Sequence, residues 1–159
     1  MKDKNFVILL SLLVIVAVIF VLGIIFQDQI FKTAISKVTL SDQVDKNNRV
    51  VESKTSFLDN IGSIYAEVKV SYGKSDTKVK AEWFLMLNGK EEDIAPSASE
   101  QIVTGTRPVL FKITKPATAS VWKTGTYKVK IIFNGKENEV KQFSVSASAA
   151  ATPTVTVTK

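Results

Sequence analysis

Between Phe6 and Phe26 the chain reads FVILLSLLVIVAVIFVLGIIF, a run without a single charged residue. As an α-helix rising 1.5 Å per residue it would be about 32 Å long, close to the ~30 Å hydrocarbon thickness of a bilayer. A cleaved secretory signal has a shorter apolar region, roughly 7–15 residues, followed by a small-x-small cleavage site. Here Gln27-Asp28-Gln29-Ile30-Phe31 follows instead. The run reads as an uncleaved signal anchor, with residues 6–26 crossing the lipid bilayer and residues 1–5 forming a cytoplasmic leader. Lysines flank both ends, Lys2 and Lys4 before and Lys32 and Lys37 after, so charge alone decides little about orientation. A short leader before a long C-terminal part suits a cytoplasmic N-terminus and an extracytoplasmic remainder. Ile30, Phe31, Ala34 and Ile35 recur at helical spacing. That spacing predicts a helical extension to about Lys37 whose apolar face, Ile30, Phe31 and Ile35, lies at the headgroup level or, as the alternative, contacts a partner membrane helix.

The apolar run explains an otherwise contradictory composition. Mean hydropathy is +0.14 although 23% of residues are charged. Setting the run aside leaves a remainder averaging about −0.4, an ordinary value for a soluble domain. The chain has no Cys and no His. This excludes disulfides, thiolate zinc sites, cysteine nucleophiles and the Ser-His-Asp triad. A Ser-Lys dyad is the enzyme chemistry still open, and no sequence context supports it. The expectation is a non-catalytic protein without a cofactor. A type IV pilin shares the layout of apolar helix and β-rich head. Lys4-Asn5-Phe6 lacks that family's processing site, and no Glu precedes Glu52.

Beyond Val38 the apolar period changes to two. Ile64, Ala66, Val68 and Val70 alternate with Tyr65, Glu67, Lys69 and Ser71, as a half-buried strand requires. Gly73-Lys74-Ser75-Asp76 reads as a turn, after which Val79, Ala81, Trp83, Leu85 and Leu87 alternate up to Asn88-Gly89. Val109, Phe111 and Ile113 form a third set, bracketed by Pro108 and Pro116. Tyr127, Val129, Ile131 and Phe133 lead into Asn134-Gly135, a strong hairpin signal, with Val140, Phe143 and Val145 on the return. With weaker strands at Lys37–Leu40 and Gln101–Val103, about seven strands are expected. Their density predicts an all-β antiparallel sandwich over residues 38–145.

Gly125-Thr126-Tyr127-Lys128-Val129 resembles the tyrosine corner of immunoglobulin-like domains, with Val129 where the second cysteine would stand. The resemblance makes Val70 its counterpart on strand B and Trp83 the buried tryptophan of strand C. The intervals of about 13 and about 59 residues suit such a domain. Both cysteine positions are Val, so the link between the sheets is expected to be packing alone. Most of residues 55–145, including Val121-Trp122, is similar to immunoglobulin-like modules of prokaryotic envelope proteins. That likeness implies adhesion, assembly or spacing, and no catalytic residues. Trp122 is expected to cap the end of the sandwich.

Few residues suggest a binding site. Glu91-Glu92-Asp93 is a solvated acidic loop rather than a calcium cage, which needs 6–8 converging oxygens. Lys78, Lys80, Lys128 and Lys130 project from strands C and F and are the candidates for a basic contact face. The chain's two arginines, Arg49 and Arg107, are too few for nucleic-acid recognition. Residues 146–159, SASAAATPTVTVTK, form a low-complexity Ala/Thr/Pro tail. The expected object is a single-pass, membrane-anchored extracytoplasmic immunoglobulin-like module contacting a protein or an envelope polymer. The alternative is a structural or accessory subunit of an oligomeric membrane or filament assembly, its helix packed on partner helices.

Overall fold

The computed structural model describes residues 2–30, 32–95 and 100–148, and in the N-terminal helix the side chains of residues 8–23. The chain divides into two units, Met1–Thr33 and Ala34–Lys159. The first is helix α1, Lys2–Ile30, whose proline-free apolar sequence sustains an unbroken helix. Ser11, its one described polar side chain, returns its hydroxyl proton to the carbonyl of Ile8 at 2.9 Å. Among the described residues no helix is long and apolar enough to cross a membrane. Residues 8–23 account for about 24 Å of helix axis.

The second unit is a two-sheet sandwich. Among the described residues it has nine strands: β1 (Ala34–Ser41), β2 (Ser56–Leu58), β3 (Ser63–Gly73), β4 (Lys78–Leu87), β5 (Lys90–Asp93), β6 (Glu100–Ile102), β7 (Gly105–Thr114), β8 (Gly125–Phe133) and β9 (Lys136–Ser146). One sheet has the order β1-β3-β7 and the other β2-β9-β8-β4-β5, with β6 also paired to β4. The pairings are antiparallel except β2 with β9, which run parallel. In letters this is A-B-E facing A′-G-F-C-C′, the strand order of an immunoglobulin-like β fold. The order follows from a chain that leaves the first sheet after β1, joins the second through β2, and returns through β3.

Alternation decides which side chains meet between the sheets. Ile64, Ala66, Val68 and Val70 of β3 are buried, as are Val79, Ala81, Trp83 and Leu85 of β4 and Tyr127, Val129 and Ile131 of β8. Phe143 of β9 is an aromatic centre. Tyr127 stacks on it at 5.3 Å, and Phe57 and Trp83 meet it edge-on at 5.5 and 6.1 Å. Asn88-Gly89 and Asn134-Gly135 both adopt left-handed backbone, with φ of 51 and 77° and of 48 and 77°, and so make the two tight hairpins.

Several boundaries differ from expectation. The helix does not continue to Lys37. Ala34–Ser41 is strand, because every residue there except Ser36, which sits at a bulge, gains a ladder partner on β3, and Val38 and Leu40 are buried. Ile35 therefore belongs to β1, opposite Val70 and partly buried against the core, and not to a helix face. The side chains of Ile30 and Phe31 lie outside the described residues, as do residues 149–159 of the tail. The sandwich spans 34–146 rather than 38–145. Glu91-Glu92-Asp93 is not a loop but part of β5, because the Asn88-Gly89 hairpin lays it against Phe84–Met86. Pro108 lies inside β7, opposite Lys69, which is tolerated because β7 is an edge strand.

Candidate functional site

The two ends of the sandwich differ in chemistry. The chain joins at Ala34, so we term that end proximal; the opposite, distal end carries the connection from β7 to β8. Tyr127 begins the strand that leaves this connection. Its hydroxyl donates to the carbonyl of Lys123 at 2.6 Å, four residues upstream, the geometry of a tyrosine corner. Burial pushes the phenol above its ordinary pKa. Gly125 has a φ of 148°, a conformation that side-chain-bearing residues rarely adopt. Trp122 is 4% exposed. Its backbone N–H donates to Asp59 at 2.7 Å, its indole N–H donates to Ile61 at 2.8 Å, and its ring meets Tyr127 edge-on at 6.1 Å. These bonds tie the β7–β8 connection to the segment between β2 and β3.

Behind this frame lies a pocket of about 320 Å³. Leu85, Ile94, Ile113, Val121, Trp122 and Tyr127 give it an apolar and aromatic wall, with Glu92, Thr114 and Lys123 supplying polar atoms. Val121 is 44% exposed and the frame around it is hydrogen-bonded, so the opening presents apolar surface on a preformed support. Sequence periodicity did not identify this site. Ile94 and Val121 lie outside the regular strands, where alternation gives no facing. The available signal was an apolar residue directly before Trp122 in a connecting segment.

Val70 and Val129 are both buried, one in each sheet, and Trp83 stands opposite Val129 in the β4–β8 register. The four lysines expected to form a basic face project from the outer side of β4 and β8, but each has a carboxylate. Lys78 pairs with Glu100 at 2.9 Å and Lys80 with Glu82 at 2.7 Å. Glu91 accepts from Lys128 at 3.3 Å and from Lys130 at 2.6 Å, and Lys130 also approaches Glu137 at 3.8 Å. Hydrogen bonding to Lys130 holds Glu91 below the usual carboxylate range, and the same bond raises Lys130. The face is charge-mixed, not basic. β5 supplies the neutralising Glu91, and its pairing could not be read from the lysine spacing.

A second reversal concerns Glu67. Alternation points it away from the core, yet its side chain is only 7% exposed. The segment between β1 and β2 folds over it. Arg49 donates through Nε at 2.7 Å and Nη2 at 3.1 Å, and the N–H of Val50 adds a bond at 3.2 Å. The Arg49 hydrogen bond, outweighing burial, keeps Glu67 below its ordinary pKa.

No protein-family model and no curated protein match the chain. Solved structures give likenesses of shape. An immunoglobulin-like protein from Pseudomonas aeruginosa is 12% identical with a TM-score of 0.47, covering 72% of this chain and 97% of that one. An alkylpurine DNA glycosylase from Pseudomonas fluorescens, solved with DNA, is 10% identical with a TM-score of 0.47, covering 73% of this chain and 31% of that one. A Niemann-Pick type C2 protein from the Japanese carpenter ant is 15% identical with a TM-score of 0.39, covering 72% and 91%. Likenesses this weak assign no function. The strand order and the Tyr127 corner together identify the domain as an immunoglobulin-like β fold.

Proposed function

We propose that the chain is a single-pass membrane-anchored, extracytoplasmic immunoglobulin-like module, non-catalytic, that contacts a partner protein through its distal end. The preformed apolar pocket beside Val121 carries this reading, because a concave apolar surface on a hydrogen-bonded frame is suited to receive a partner's side chain. Two features support the anchor. Residues 6–26 carry no charge. The large apolar side chains described in α1 between Ile8 and Leu22 are 45–70% exposed, an apolar surface on every side that lipid would cover. A partner would insert an apolar side chain into the pocket, its main chain meeting Glu92, Thr114 and Lys123 at the rim.

The test uses the full chain in its own membrane with a photocrosslinking amino acid at Val121, and at Glu82 on the outer sheet face as control. One protein adduct formed from position 121 and not from 82 supports the reading. Adducts to polysaccharide instead, or equal labelling from both positions, overturn it. Release of the chain from membranes by alkaline carbonate overturns the anchor.

A further inference from the structure

The proximal end of the first sheet has a charge pattern unlike the rest of the domain. Lys37 of β1 and Lys69 of β3 stand directly opposite each other in the ladder. Like charges directly opposite each other destabilise a strand pair. Beside them, Arg49, Lys69 and Arg107 line one groove together with the hydroxyl-bearing Ser36, Ser71 and Thr106. Glu67 pairs with Arg49, and its charge also acts on Lys69. Neither Lys37, Lys69 nor Arg107 has a carboxylate within ion-pair distance among the described residues. Arg107 instead donates to the carbonyl of Ile102 at 2.8 Å. At the proximal end of the other sheet, Lys78 pairs with Glu100 and Lys130 approaches Glu137. Lys37 and Lys69 thus oppose each other beside Arg107 on the first sheet.

These cations stand where the chain enters. Ala34 opposes Ser71 and Ile35 opposes Val70, so the groove lies at the first residues of β1. Three residues, 31–33, lie between the last residue of α1 and Ala34 in the sequence. We propose that Lys37, Lys69 and Arg107 form a phosphate-binding surface that engages anionic lipid headgroups. This rests on the membrane-anchor reading above. The hydroxyls of Ser71 and Thr106 and the guanidinium of Arg107 supply the donors a phosphate accepts. Each cation near an anionic surface strengthens the association about five-fold.

The experiment uses the full chain in nanodiscs, with a fluorophore on Ser75→Cys; the protein has no other cysteine. A quencher is carried on the lipid headgroups. Discs of phosphatidylcholine alone are compared with discs holding 30% phosphatidylglycerol. Stronger quenching is expected in the anionic discs, and it should fall to the phosphatidylcholine level in Lys69→Glu/Arg107→Glu and at high salt. Lys78→Glu/Lys128→Glu, on the paired sheet, should leave it unchanged. Quenching that ignores lipid charge, or survives Lys69→Glu/Arg107→Glu, overturns the proposal. So does saturation of Lys69 and Arg107 by millimolar inorganic phosphate in neutral discs, since the groove would then take free phosphate. A chain that fails to enter the discs refutes the anchor, an outcome distinct from an inserted chain whose quenching does not respond.

Discussion

Arg49 clamps Glu67 through two hydrogen bonds, of 2.7 and 3.1 Å, across the outer surface of the first sheet. The carboxylate is covered while the guanidinium remains 42% exposed, so solvent screens part of the attraction. Glu67→Gln should lower unfolding free energy by about 1–2 kcal/mol at pH 7, measured by urea denaturation. Because the folded-state pKa lies below the unfolded value, the contribution is complete above the ordinary glutamate range. It is lost as pH falls through the lower, folded-state value. The gap between wild type and Glu67→Gln should therefore close in acid. A gap that stays constant down to pH 2 would refute the ionic account.

Trp83 is 2% exposed and touches Phe143 edge-on. Trp83→Ala should cost roughly 3–5 kcal/mol, since the cavity is walled by strands that cannot collapse into it. Calorimetry of the full chain in detergent should show the sandwich transition lowered by well over ten degrees. A shift of one or two degrees would remove Trp83 from the core.

Tyr127→Phe keeps the ring stack on Phe143 and deletes only the hydroxyl that reaches Lys123. A loss of about 1 kcal/mol is expected. Trp122→Phe likewise deletes the bond to Ile61. If these bonds hold the pocket open, both variants should also reduce crosslinking from position 121 while the sandwich stays folded.

Asp59 receives the backbone N–H of Ser148 at 2.9 Å, and that bond draws its pKa below the ordinary aspartate value. The contact should persist above the ordinary value and be lost as pH falls through the depressed one. The Ser148 amide should follow this titration by NMR and lose its protection in Asp59→Ala. An amide indifferent to both would refute the bond.

What the sequence revealed was local. Tyr127 is identified by its near neighbours, and Asn134-Gly135 by a backbone conformation that few other pairs accept. Trp83 is recognisable because its alternation partners are apolar on both sides. The facts that escaped depend on distant segments. Period two places Glu67 on the outer face but cannot say that residues 42–55 fold over that face. Lysine spacing locates Lys128 and Lys130 but not Glu91, which is 37 residues or more away. Ile35 fits both a helical stripe and a strand, and pairing with Val70 decides it.

The parallel pairing of Ser56–Leu58 with Ser144–Ser146 has a mechanical meaning. β1 begins at the proximal pole and β9 finishes at the distal one, so tension applied between Ala34 and Ser146 runs along the strands. Under that pull β2 and β9 slide lengthwise against each other, and their hydrogen bonds must yield together rather than one after another. The short β2 is then loaded in shear against β9.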